Sequence, residues 1–274
     1  MKWKTPHRVP IFVTRLLLFS FVSASVRAGV APECLSLFVL DQDHWQSLRG
    51  RYEISFPFAT GYWATVHRGR MPVHPSGLVF PQIGRPGEWV VIKVPLGRRD
   101  TTLDPQAAGA IQHESAMLAR LFRVETRRGS HLFVRGILDR ESNALIMEDI
   151  KEGRTLQEWS NDPSSSPTRA QIDSIVSQLN QAIQLLHEAG MVHGDLNPNN
   201  ILIRPDGSIL IIDFGLAADV GAHPPHHRGQ RFGTDGYISP NQVRNGPAQF
   251  ADDEFAVAAV RQWLMEYWRN WGQP

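Results

Sequence analysis

A single cysteine, Cys34, among 274 residues rules out an intramolecular disulfide and any zinc site built from several cysteines of one chain, and it leaves the redox compartment undetermined. Excess charge of either sign is also missing: 28 Lys and Arg face 27 Asp and Glu, a formal net charge of +1. Dedicated nucleic-acid binders concentrate Lys and Arg to neutralise phosphates, so no nucleic-acid partner is expected. Membrane-length apolar runs are scarce too. The run Leu16 to Val26 is shorter than the roughly 20 residues a membrane-crossing helix needs, so no stable membrane anchor is expected from it. Preceded by Lys2, Lys4 and Arg8 and followed by a small-residue site at Ala28, this run makes residues 1–28 read as a signal peptide or leader, although Arg15 interrupts the pattern. A misassigned upstream start or an amphipathic leader is the alternative. Residues 29–47 read as an N-terminal extension.

What is present is ordinary core-forming material. With 42% hydrophobic and 20% charged residues the chain is neither disordered nor fibrous. From Leu48 to Leu145, short β-branched and aromatic runs (Tyr62 to His67, Trp89 to Val94) alternate with Gly and Pro around one helical pattern, Gln106 to Phe122. The Pro- and Gly-rich stretch Met71 to Pro86 reads as a long hairpin loop between two strands. After Glu148 helical spacing takes over: Ile175, Leu179, Ile183 and Leu186 line one face of Ile172 to His187, and Glu254 to Trp268 is a second apolar helix. Between them, Ile201 to Ile203 and Ile209 to Ile212 flank Pro205-Asp206-Gly207, which is hairpin turn chemistry. There is no internal repeat, and Ser164 to Ser166 reads as a surface loop.

The chemistry-bearing residues cluster around that hairpin. His193-Gly194-Asp195-Leu196-Asn197-Pro198-Asn199-Asn200 precedes it, and Asp213-Phe214-Gly215 closes it. Taken alone, Asp195 and Asn200 could simply cap turns. Their order and spacing with Asp213 resemble the catalytic loop and metal-binding motif of eukaryotic-like Ser/Thr protein kinases. That resemblance implies an α+β, two-lobed fold that holds ATP and Mg2+ between a small β-rich lobe with one helix (48–148) and a truncated helical lobe (149–274). It makes Asn200 and Asp213 the Mg2+ ligands and Asp195 the carboxylate that takes the proton of the attacking hydroxyl.

Other positions carry the resemblance further. Val90-Val91-Ile92-Lys93 is similar to the strand whose lysine contacts nucleotide phosphates, and Glu114 is similar to its ion-pair partner; alone, such a lysine is usually a solvated edge charge. Ala59-Thr60-Gly61-Tyr62-Trp63-Ala64-Thr65-Val66 resembles the glycine-rich loop, with Gly61 and Val66 retained and Ala59 and Ala64 in place of the other glycines, a stiffer cover over the phosphates. Leu145 to Ile150 resembles the strand into the interlobe hinge, with Met147 as gatekeeper and the backbones of Glu148 and Ile150 facing adenine. Val66, Val91 and Leu202 would sandwich the purine, though each could equally be plain core. Gly233 to Asn241 resembles the end of an activation segment, with Asn241 where the family has glutamate. Asp253 resembles the buried carboxylate beneath the catalytic loop, or is only a helix N-terminal acid.

Two departures concern control. Gly194 replaces an arginine that gathers a phosphorylated loop, so activation-loop phosphorylation is expected to be unnecessary; Asn197 replaces a lysine, so slower transfer is expected. His223, His226, His227, Arg228 and Arg231 read as a substrate-facing basic loop rather than a metal site. The implied partners are a protein substrate, a host protein in the preferred setting, and an activating host partner; the small size and His-Gly-Asp loop look like bacterial effector kinases, secreted into a host cytosol, with a cytoplasmic location as the alternative. The rival readings are a small-molecule phosphotransferase of the aminoglycoside or choline kinase type and an ATP-binding pseudokinase.

Overall fold

The computed structural model describes residues 48–55, 57–71, 83–97, 103–162, 165–224 and 233–271. The leader, the extension over 29–47, most of the Met71 to Pro86 loop, Ser164, and His226, His227, Arg228 and Arg231 lie outside these residues.

Five strands, β1 (Pro57–Thr60), β2 (Ala64–Arg70), β3 (Trp89–Pro95), β4 (Gly136–Asp139) and β5 (Ala144–Glu148), form an antiparallel sheet in the order β1-β2-β3-β5-β4. β2 begins at Ala64 rather than at Tyr62, because Gly61 N donates to Ala64 O at 2.8 Å and turns residues 61–63 into the hairpin connection. At the far end of the β2–β3 hairpin, Met71 N donates to Glu88 O at 2.8 Å and Gly87 N to Met71 O at 2.9 Å. Because side chains alternate along a strand, Val90, Ile92 and Val94 bury one face of β3 and leave Val91 and Lys93 to the other.

The helix α1 (Pro105–Arg128) packs on β3, β4 and β5. Asp104 caps its start by accepting from Gln106 N at 2.9 Å, and Pro105 supplies a preset first turn. The helix runs past Phe122, where the apolar spacing fades, because no breaker intervenes before Gly129, whose left-handed φ of 67° ends it.

The second part is helical, with small strand pairs. Its helices are α2 (Leu156–Asn161), α3 (Arg169–Glu188), α4 (Pro240–Val243) and α5 (Phe250–Trp271). The strands β6 (Arg154–Thr155), β8 (Ile201–Ile203) and β9 (Ile209–Ile211) form one sheet, and β7 (Met191–Val192) pairs with β10 (Ala218–Asp219). Capping boxes at Thr155/Glu158 and Thr168/Gln171 start α2 and α3. α3 buries Ile172, Ile175, Leu179, Ile183 and Leu186, and packs on α5 through a core that includes Val260 and Leu264. A sheet-rich first part followed by a helical second part is the expected α+β architecture, with α2 and α4 as short helices the periodicity did not show.

Candidate active site

The register of β3 sets the first half of the site. Lys93 lies opposite Val66 on β2 and Leu145 on β5, and Val91 lies opposite Met147, so all five share the sheet face that looks toward the helical part. Lys93 Nζ donates to Glu114 Oε2 at 2.7 Å and to Asp213 Oδ1 at 2.8 Å. Glu114, on α1 and only 2% exposed at its side chain, uses its other oxygen to accept the amide of Phe214 at 3.2 Å. Burial opposes the charge on Lys93, but Asp213 and Glu114 outweigh it and hold the ammonium protonated. In return the Lys93 ammonium keeps the Asp213 carboxyl below the usual carboxylate range. Asp213 has φ 63°, a left-handed conformation that Asp tolerates better than most residues, and its carboxylate stays 49% exposed beside the lysine.

Phe214 turns the opposite way, fully buried, with its ring 5.8 Å from Phe133 and 4.7 Å from His193. Two further contacts tie α1 to the segment after it: His113 Nε2 donates to Ala217 O at 2.7 Å, and Arg120 pairs with Asp219 at 2.6 Å.

The second half is the loop between β7 and β8. Asp253, buried in the first turn of α5, accepts the amides of His193 at 2.9 Å and Gly194 at 3.1 Å, with His187 Nε2 also 3.1 Å away. It is thus both a helix N-terminal acid and the brace beneath the loop. Gly194 has φ 78°, and a Cβ there would stand 2.9 Å from Leu216 O, so the backbone at this position favours glycine over any larger residue. Asp195 receives Thr234 N at 2.9 Å and Thr234 Oγ1 at 2.7 Å on Oδ1, and Asn200 Nδ2 at 3.1 Å on Oδ2. Burial pushes the Asp195 carboxyl up, against the hydrogen bonds from Thr234 that pull it down. The two halves meet where Ile212 N, next to Asp213, donates to Asn200 O at 3.0 Å.

The donor set suits a hard divalent cation. Asp213 offers a half-exposed carboxylate, and Asn200, whose amide nitrogen is committed to Asp195 O at 2.8 Å and Oδ2, has its carbonyl oxygen left to turn toward an ion. Of the residues expected around a purine, Val91 and Leu202 are half-buried against the core and Met147 is buried. Glu148 is anchored by its side chain, which accepts from His131 Nε2 at 2.7 Å and Arg135 N at 2.8 Å, so its backbone is held in place. Ile150 O accepts from Gly153 N at 3.0 Å, which holds the backbone at this position in place. Gly61 sits in the β1–β2 turn with Tyr62 exposed at the tip.

The sequence profile of the protein kinase domain matches residues 91–267. This chain belongs to the protein kinase family. Similar proteins include the serine/threonine-protein kinase PknL of Mycobacterium tuberculosis, 31% identical over 220 residues that make up 78% of this chain and 48% of PknL. The serine/threonine-protein kinase PknA of the same organism is 41% identical over 86 residues, 31% of this chain and 20% of PknA. A probable serine/threonine-protein kinase PknB of Lactococcus lactis is 28% identical over 160 residues, 57% of this chain and 24% of that protein. The chain therefore spans about half the length of PknL. The family match starts at Val91, so the Gly61 and Val66 hairpin lies before it.

Within the kinase fold, Thr234 was not singled out from sequence, though it makes two of the three hydrogen bonds that the described residues donate to the Asp195 carboxylate. Its one signal was its place behind Gly233 in the recognised segment. Phe133 gave no signal at all.

Proposed function

We propose that this protein transfers the γ-phosphoryl group of ATP to a Ser or Thr hydroxyl of a protein substrate. The observation that carries the reading is the convergence of Lys93, Glu114 and Asp213 from the sheet side with Asp195 and Asn200 from the helical side, tied at Ile212 and Asn200. Lys93 would hold the phosphates, and Glu114 fixes where Lys93 points. Asn200 and Asp213 would hold Mg2+, which offsets phosphate charge. The acceptor oxygen bonds to the γ-phosphorus as the bond to the β,γ-bridging oxygen breaks; the hydroxyl proton passes to Asp195 and ADP leaves. The adenine would lie among Val66, Val91, Met147 and Leu202, against the backbone of Glu148 and Ile150.

The absence of a cation at Asn197 does not abolish this chemistry, because Lys93 and the metal ligands remain; it lowers the electrostatic support for transfer. Contacts from α1 to Phe214, Ala217 and Asp219 hold Glu114 toward Lys93, and Gly194 stands in place of the arginine that gathers a phosphorylated loop; both support activity without activation-loop phosphorylation.

The test is incubation of the purified protein with γ-labelled ATP and Mg2+, alone and with a protein lysate, beside Asp195→Ala and Asp213→Ala. Label on protein that both variants and EDTA abolish is the expected result. ATP binding with no transfer to protein favours the pseudokinase or small-molecule readings, and no ATP binding sinks all three.

A further inference from the structure

Asn197 stands two residues after Asp195 and is buried, yet every polar atom of its side chain is occupied. Its Nδ2 donates to Asp195 O at 3.0 Å and to Thr234 Oγ1 at 3.0 Å, and its Oδ1 accepts from Asn199 N at 2.9 Å. This arrangement determines the amide's orientation, since the reversed one would set the NH2 group against the Asn199 N–H, donor against donor. None of its polar groups is left for a phosphate.

The consequence falls on Thr234. A hydroxyl that accepts a proton from Asn197 must point its single O–H elsewhere, and Asp195 Oδ1 lies 2.7 Å away. Thr234 N donates to the same oxygen at 2.9 Å. Oδ1 is thereby filled by two donors, whereas among the described residues Oδ2 receives only Asn200 Nδ2 at 3.1 Å and keeps a lone pair.

We propose that Asn197 is a positioning residue that acts on Asp195 through the Thr234 hydroxyl, committing Oδ1 to the protein and leaving Oδ2 as the oxygen that receives the acceptor's proton. The inference rests on the phosphoryl-transfer reading. In that step the acceptor O–H bond breaks toward Oδ2, the new O–P bond forms, and the bond from the γ-phosphorus to the leaving ADP oxygen breaks. Asn197 makes no bond to the reacting atoms, and its effect requires an intact hydroxyl at 234.

Two measurements on the full chain test this. In the first, without nucleotide, hydrogen exchange of the residue-234 amide is followed by NMR in the wild type, Asn197→Leu, Thr234→Val and the double variant. Asn197→Asp is added because it keeps the acceptor for Asn199 N while it replaces the donor with a charged oxygen, to which the Thr234 hydroxyl can turn away from Asp195. Losing one link of the relay should speed exchange about tenfold in each single variant, with the double no faster than Thr234→Val. In the second, initial rates of autophosphorylation with Mg-ATP should show kcat down about tenfold in Asn197→Leu, with the KM for ATP within about twofold. Thr234→Ser, which retains the hydroxyl, should stay near wild type and remain sensitive to Asn197→Leu. Unchanged exchange in both Asn197 variants, or effects that add in the double variant, overturns the relay. If the exchange pattern holds but the wild type shows no Asp195-dependent label, the phosphoryl-transfer reading fails and takes the proton assignment with it, while the hydrogen-bond relay itself stands.

Discussion

Asp253 holds His193 by its backbone: Oδ2 accepts the His193 amide at 2.9 Å, while Oδ1 takes the next amide, that of Gly194, at 3.1 Å. Both bonds lie at the base of the loop that presents Asp195, and the carboxylate is sealed from solvent. Deleting it leaves two amides unsatisfied, at roughly 1–3 kcal/mol each when buried. Asp253→Ala is therefore expected to destabilise the fold by about 3 kcal/mol, and Asp253→Asn, which keeps one acceptor, by about half as much. Urea denaturation reads this directly. A loss below about 1 kcal/mol for the alanine variant would show that the loop keeps its shape without the brace.

Lys93 and Arg120 both make ion pairs shorter than 3 Å, at 2.7 Å to Glu114 and 2.6 Å to Asp219, but in different surroundings. The Arg120 pair is exposed, so Arg120→Ala should change stability by less than about 1 kcal/mol. In the proposed reaction Lys93 would hold the phosphates, so in Lys93→Met transfer should fall at least about 100-fold. Glu114 can take up a proton when its partner is lost, so the variant should still fold. Label incorporation beside a thermal melt separates the two effects; an active Lys93→Met would discard the lysine's assigned role.

Asn241 tethers the end of the segment where the family has glutamate. Its Nδ2 lies 3.2 and 3.1 Å from the two oxygens of buried Asp252, and 2.9 Å from Pro247 O. Asp252 also accepts from Ser239 Oγ and, at 2.8 Å, from Gln249 N. Restoring the family residue should therefore do harm: Asn241→Glu sets a second carboxylate against Asp252 and should cost more than Asn241→Ala, itself about 1 kcal/mol. Denaturation of the two variants side by side decides it, and equal or reversed losses would refute the tether.

His67 predicts a pH dependence. Buried on β2, its ring nitrogens lie 2.9 Å from Ser55 O and 2.9 Å from Thr65 Oγ1. Burial chiefly, with a nearby Arg49, holds its pKa below the usual 6.5. As pH falls through 6.5, the unfolded chain takes up a proton that the folded protein resists, so stability falls by up to about 1.4 kcal/mol per pH unit. His67→Gln should remove that slope, measured as the difference between wild-type and variant melts from pH 7 to pH 5. Parallel curves would mean that His67 titrates alike in both states.

Much of the site was readable from the order of residues along the chain. Asp195, Asn200 and Asp213 lie on a loop and a hairpin that are close in sequence, and local turn chemistry brings them together. The helical faces of α3 and α5 were readable for the same reason, because a 3.6-residue period needs no knowledge of what packs against it. Propensity was a poorer guide at element ends: β2 starts two residues later than its apolar run because of the 61–63 turn, and α1 continues to Arg128 because only Gly129 stops it.

The remaining contacts join residues far apart in sequence, and no local pattern encodes them. Asn197 meets Thr234 across 37 positions, and Asp253 meets His193 across 60. From sequence alone, Asn197 and Asn241 read only as losses, of a lysine and of a glutamate. In the fold both side chains are hydrogen-bonded to partners that arrive from other elements. Periodicity and turn chemistry specified a sheet-rich part followed by a helical one, and the resemblance of the motifs to those of protein kinases implied the architecture and its acidic residues; packing determined which oxygen of Asp195 is committed, because a buried polar atom takes the partner that the surrounding elements place within reach.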